Sequence, residues 1–370
     1  MVRTPERKTN ALQEELIVQE GDYHKNPSML LKLGKHFGIM IIVLLGVVII
    51  SLRVGPVPID FSSIWRILIS YVGVDLSYGM TEGLVLHHLR IPRILLGGIV
   101  GVALGTTGAV MQGLFRNPMA DPGIIGVSAG GALGGVLAIS VGITGTFPLA
   151  LPLCAFFGAL ITSLLVYGIG LFGGSFNMAT LLLAGVAVNS FIGALISAIL
   201  VSIPNNDSLR EVLFWLAGGI GGNGWTELQI VFPFIFAGIF TFVVFSRDLN
   251  ALMMGSDEAV TLGVNPGVMR PVFLVSGALV TGAAVAVSGI IAFVGLVVPH
   301  IVRLICGPDN RILIPVSGIA GAIFVILADT IARTVVQPAE YRVGIITAFV
   351  GAPFFIFLLM RNHRNSRIFQ

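Results

Sequence analysis

The polar residues of this chain are gathered into short islands between long apolar runs. From Asp121 to Asp207 there is no Asp, Glu, Lys or Arg, and the interval is filled with Leu, Ile, Val, Ala, Phe and Gly. At roughly 20 residues per crossing, such a stretch is enough for about three passes through a bilayer. Divided at charges and at Gly, Pro and Asn clusters, the pattern predicts spans over 37–52, 91–113, 123–142, 147–171, 179–203, 228–245, 269–290, 293–306, 312–333 and 342–360. The seventh and eighth are the ambiguous pair. Arg270 to Arg303 is charge-free, long for one helix and short for two, with breaks marked by Ser288-Gly289 and Pro299, so hydropathy alone gives nine or ten spans.

Composition strengthens the membrane assignment. Of 370 residues 55% are hydrophobic and 11% charged, against roughly 25% charged in an ordinary soluble domain, and mean hydropathy is +0.97. The 47 Gly residues suit helices packed closely through small faces. A lipid-facing barrel would alternate apolar and polar residues, whereas these runs are continuous. The expected fold is an all-α membrane protein, a polytopic bundle of about ten transmembrane helices with both termini cytoplasmic. It divides into a polar tail over 1–36, a membrane domain over 37–361 and a C-terminal tail over 362–370.

Met1 to His36 lacks the apolar core of a cleavable signal peptide. Leu12, Glu14, Glu15, Leu16 and Ile17 suit either a short amphipathic helix or a mobile tail. Of the 21 Lys and Arg, seven fall on the side opposite the N-terminus in a ten-span topology: Arg53, Arg66, Arg90, Arg93, Arg210, Arg333 and Arg342. The excess on the N-terminal side places that side in the cytoplasm. A net charge of +3, spread over the loops, implies no nucleic acid. Cys154 and Cys306 have no partner at metal-ligand spacing and read as packing residues.

Ion-driven carriers place ionisable groups at mid-membrane, and this chain has almost none there. Asp329 reaches Arg333 one turn on and reads as a local pair at the membrane surface, while His300 beside Pro299 reads as a structural histidine. No catalytic pair and no metal set stands out. The polar loop over 246–268 is the longest on the cytoplasmic side. There Ser256 is placed to cap a helix, Asp257 and Glu258 lie in its first turn, Ala259 and Leu262 share a face, and Gly263 ends it. Such a helix is either a docking element or a plain connector. Elsewhere Arg116-Asn117-Pro118-Met119-Ala120-Asp121-Pro122-Gly123 reads as a rigid turn, with Asp121 capping the next helix and Arg116 pairing with it.

Several of these motifs together carry a resemblance. Asp257-Glu258-Ala259 with Gly263, after Gly255 and Ser256, resembles the coupling loop by which ABC-transporter permeases engage their ATPase subunits. Leu89-Arg90-Ile91-Pro92-Arg93, the run from Gly108 to Ser128, Leu181 to Ala187, Phe293 to Arg303, Leu327-Ala328-Asp329 and Gly351-Ala352-Pro353-Phe354 resemble, in order, the iron-siderophore, heme and cobalamin importer permeases. Met119, Ile91 and Val260 are small departures from the pattern.

The resemblance spans about residues 37–361. It implies ten helices, a homodimer with its pathway on the two-fold axis, two ATP-binding cassette subunits carrying ATP and Mg, and an extracytoplasmic substrate-binding protein, all at the inner membrane. The chain would need no cofactor itself, and it contains no P-loop of the form G-x-x-x-x-G-K-[ST]. Arg90, Arg93 and Arg333 would be exposed docking arginines for the binding protein. Arg116, Asn117, Pro118, Asp121 and Pro122 would contribute to an inner gate, and Asn189, Ser190, Gly193, Ser197 and Thr347 would line the pathway.

Phe115-Arg116-Asn117-Pro118 and Phe214-Trp215 look more like importers of heme or ferric siderophores, with cobalamin as the alternative. His87-His88 read as interfacial residues preceding a helix rather than heme ligands. The rival classes are an ATP-independent secondary carrier and an intramembrane enzyme, and neither finds the charged groups it requires.

Overall fold

The computed structural model describes residues 29–366 except 72, 75–76, 172–177, 223 and 337–338. The proposed N-terminal amphipathic segment and residues 367–370 lie outside the described residues. All regular structure among the described residues is helical. Seven helices are long and apolar enough to cross a membrane, and four shorter apolar helices accompany them. The chain is therefore a polytopic helical membrane protein.

Helix α1 runs from Met29 to Arg53, starting eight residues before the expected span, and stops ahead of Gly55-Pro56. A short helix that hydropathy had not suggested, α2 (Phe61–Ser70), follows. The next span is also longer than expected, because α3 (Met80–Leu84) continues through a π-helical turn, Val85–Arg90, into α4 (Ile91–Leu114). Pro92 explains the wide turn: it has no N–H to donate, and its ring conflicts with the carbonyl four residues earlier, so the preceding turn opens. Together they make 35 residues, about 50 Å at 1.5 Å per residue, more than the ~30 Å hydrocarbon core requires.

The remaining elements are α5 (Val127–Ser140), α6 (Ala150–Gly170), α7 (Met178–Ser202), α8 (Asn206–Leu216), α9 (Trp225–Val244), α10 (Ser246–Met254), α11 (Ser256–Thr261), α12 (Pro266–Ser288), α13 (Val294–Cys306), α14 (Asn310–Ala332) and α15 (Val343–Ser366). The break expected at Ser288-Gly289 is real. Residues 289–293 are irregular, with Gly289 and Phe293 at φ 63° and 69°. The ends of this break are met by protein, as membrane depth demands: Gly289 N–H donates to Val285 O at 2.8 Å, Phe293 O accepts from Val297 N–H at 2.8 Å, and the preceding Ser288 O accepts from Gly219 N–H at 2.7 Å.

The interior is built on α4, α12 and α14. Buried residues make up 78%, 72% and 67% of the apolar windows containing them, against 11% for α1 and 17% for α7, which are peripheral. Close approach is bought with glycine: a Cβ on Gly101 would strike the Gly321 carbonyl, one on Gly105 the Ser317 carbonyl and one on Gly108 the Gly295 carbonyl. Gly130 and Gly158 do the same between α5 and α6. Beside this interior, Val47, Leu52, Ile59, Ile64, Ile67 and Leu86 form a smaller cluster with Ile94 and Ile326, holding α1 and α2 against α4 and α14.

Candidate functional site

Polar side chains collect at two opposite ends of the bundle. At the first, the end of α1, the start of α4 and the end of α14 meet. The last carbonyls of a helix have no intrahelical donor and sit at its negative pole, and two arginines fill that role for α1. Arg90 donates to the carbonyls of Leu52, Arg53 and Val57. Arg333 donates to Ser51 O at 2.8 Å and to Ser51 Oγ, which also accepts from Thr330.

Their burial corrects the expectation of exposed docking forks: Arg90 is 4% and Arg333 3% exposed. Arg93 is held differently. It binds Asp329 through Nε at 3.0 Å and Nη2 at 2.8 Å, and gives Nη1 to Glu340 at 3.0 Å. The Asp329–Arg333 pair read from spacing is present at 3.5 Å, but both side chains are buried and not at the surface, and through Arg93 Asp329 also joins α14 to α4. Arg90, Arg93, Arg333, Arg342, His88 and Glu340 border a cavity of about 660 Å³. Arg342 stacks over Phe214, 4.7 Å from the ring centroid. His87 is engaged nearby, with Nδ1 2.6 Å from Tyr71 OH and its carbonyl accepting from Trp225 Nε1 at 3.1 Å.

At the second end, Arg116 follows α4 in a left-handed conformation, φ 49°. Its guanidinium donates to Leu252 O at 2.7 and 3.1 Å, tying α4 to α10. The expected pairing with Asp121 is thus replaced. Asp121 caps the Pro122–Ile125 turn by accepting from Gly123 N–H at 2.8 Å, as expected. Burial pushes the Asp121 carboxyl up, and the Gly123 N–H opposes that shift. Asn117 accepts from Met119 N–H and stiffens the loop ahead of Pro118 and Pro122.

The 246–268 loop holds two helices where one was expected. Gly255, in extended backbone, stands at the N-cap of α11, so Ser256 is not the cap; its Oγ accepts from Arg270 Nη2 at 2.7 Å. Asp257 and Glu258 occupy the first turn, and Gly263 leaves the helix at φ 80°. Ala259 is buried while Leu262, three residues on at the C-cap, is 60% exposed, so of that expected face only Ala259 packs against the bundle.

Sequence reasoning missed the clamp behind this element. Asn250 donates to Asp309 Oδ1 at 2.8 Å and accepts from the Asn310 N–H at 3.0 Å and Nδ2 at 2.7 Å, joining α10 to α14. Arg311 pairs with Asp309 at 2.6 Å and, with Asn250, holds its pKa at about 2. The Asp-Asn-Arg order at a helix start was the available signal.

The pathway residues divide. Ser190, Gly193 and Ser197 lie on the exposed face of α7, the two hydroxyls donating to Val186 O and Gly193 O. Asn189 instead turns toward the Asp121 loop, donating to Gly123 O at 3.3 Å. Thr347 is fully buried and donates to Gly344 O, which removes it from any exposed wall.

Fold and polar ends together define a polytopic helical membrane protein with clamped elements at each end of the bundle. The chain belongs to the FecCD transport family, which matches residues 42–361. It is 41% identical over 316 residues to the cobalamin import system permease protein BtuC of Halobacterium salinarum, covering 84% of this chain and 83% of that one. It is 37% identical over 340 residues to the hemin transport system permease protein HmuU of Yersinia pestis, covering 89% and 96%. A solved ABC transporter of metal-chelate type in an inward-facing conformation superposes with TM-score 0.75 at 30% identity, covering 88% of this chain and 98% of that chain.

Proposed function

We propose that this protein is the membrane-spanning permease subunit of an ATP-driven importer for an iron chelate, heme or a ferric siderophore. The observation that carries the proposal is family membership over nearly the whole membrane domain, with relatives that include a hemin permease. The 41% identical cobalamin permease favours a second reading with the same architecture and cobalamin as cargo.

Seven long helices with Val127–Ser140, Val294–Cys306 and Val343–Leu358 would make ten crossings, both termini and the α10–α11 unit facing the cytoplasm of an inner membrane. Two such chains would flank the pathway, with Ser190, Gly193 and Ser197 of α7 on its wall. Gly255, Ser256, Asp257, Glu258, Ala259, Leu262 and Gly263 would meet an ATP-binding cassette subunit carrying ATP and Mg. Exposed Leu262 and Val260 supply an apolar surface for that contact. Arg116, Asn117, Pro118, Asp121 and Pro122 would transmit its movement to an inner gate.

At the opposite end Arg93 would receive an acidic group of the substrate-binding protein. Docking by Arg90 and Arg333 would require their release from the carbonyls of α1 and Val57. The test is uptake into vesicles holding the permease with its ATPase and binding protein, offering heme, ferric siderophore and cobalamin in turn. Accumulation of an iron chelate only with ATP and binding protein is expected; cobalamin alone would select the second reading, and uptake driven by an ion gradient without ATP would overturn both.

A further inference from the structure

We infer that α2 is an anchor lying in the head-group region of the outer leaflet. The assignment of the outer side rests on the orientation proposed above; the lipid contact does not. With ten residues α2 is about 15 Å long, too short to cross a hydrocarbon core. It begins four residues after Val57, whose carbonyl binds Arg90, so it lies at the level where the polar network of the first end begins.

One face is accounted for by protein: Ile64 and Ile67 are buried in the cluster with Val47, Leu52 and Leu86. The other face carries Phe61, Trp65 and Ile69 at i, i+4 and i+8, exposed by 41%, 56% and 40%. A helix facing water would carry polar residues there. Two exposed arginines flank the apolar stripe, Arg53 stacked over Phe61 at 4.5 Å and Arg66 beside Trp65.

An aromatic stripe edged by cations matches the boundary between acyl chains and phosphates. The preceding helix α1 likewise exposes apolar side chains, Ile39, Ile42, Leu45 and Ile50, as a lipid-facing helix does. Lipid is therefore the occupant, with head-group phosphate paired to Arg53 and Arg66.

The test is tryptophan quenching on the full-length protein in vesicles, with the Trp65 signal taken as wild type minus Trp65→Phe. Lipids brominated near the head group should remove most of that signal, while lipids brominated near the chain end and aqueous iodide remove little. Iodide quenching without lipid quenching would overturn the assignment in favour of a water-facing helix. Protection from all three quenchers would overturn it in favour of a protein partner or second copy, and dominant deep quenching would place the helix inside the hydrocarbon. Phe61→Trp in the Trp65→Phe background repeats the measurement one turn away and guards against a local defect. These outcomes are independent of transported cargo, so failure here leaves the importer proposal standing.

Discussion

Asp329 carries the largest local consequence, because it is a buried carboxylate whose charge is balanced chiefly by Arg93 from another helix. Removing one partner of a buried pair leaves the other uncompensated, at a cost of about 3–5 kcal/mol, while removing both costs much less than the sum. The double variant Arg93→Ala with Asp329→Ala should lower the thermal midpoint in detergent by much less than the sum of the two single losses. Equal midpoints for Arg93→Ala and the wild type would show that the anchor does not hold α4 to α14. Glycine offers a second contrast. At Gly101 a methyl would strike the Gly321 backbone, so Gly101→Ala should destabilise by about 1–3 kcal/mol, whereas Gly193 has open space around its Cβ position and Gly193→Ala should be neutral or better in the same melt. The Asp121 cap and the Gly263 terminus were legible from sequence because both are local. Burial of Arg90 and Arg333 was not: their acceptors are carbonyls of α1 and of Val57 just after it, 33 or more positions away along the chain, which no local pattern shows.

The α10–α11 unit is fixed to the bundle through few polar contacts, so its stiffness depends on Asn250. Asn250→Ala would leave Asp309 and the Asn310 amide short of partners, a penalty of about 1–3 kcal/mol. Amide exchange across residues 246–261 should then accelerate roughly tenfold or more, with little change in α4; unaltered exchange would show that α10 is held otherwise. Acid should act at the same place. Asp309 has its pKa lowered from 3.8 to about 2, so its contribution is complete above the ordinary carboxylate range and is lost as pH falls toward 2. The stability gap between wild type and Asp309→Asn, which keeps a capping side chain, should narrow across that interval and stay constant from pH 5 to 7. Apolar runs located the long helices but not α2, α8 or α10, whose mixed polarity reads as loop. They also missed the true starts at Met29 and Met80, since charged and polar residues continue a helix once it leaves the hydrocarbon.

For the molecule as a whole, the question is how motion at α11 would reach the membrane interior, and the contacts limit the routes. Ala259 is buried and Ser256 is bound by Arg270 of α12, while α10 is joined to α14 through Asn250 and to α4 through Arg116. Beyond Arg116, Asp121 caps the turn whose Gly123 carbonyl receives Asn189 of α7, the helix with the exposed small-residue face. Arg116 thus stands on a chain of contacts from α10 and α11 to the proposed pathway wall. Within the importer reading, Arg116→Ala should leave the partner ATPase able to bind and hydrolyse ATP, because the α11 surface is untouched. Uptake per ATP should fall, since a link in the transmission is gone. The ratio of substrate accumulated to phosphate released, measured in the same vesicles, separates this from a folding defect, which lowers both together. An unchanged ratio would mean that coupling passes through Arg270 and α12 instead, and Arg270→Ala would then show the fall.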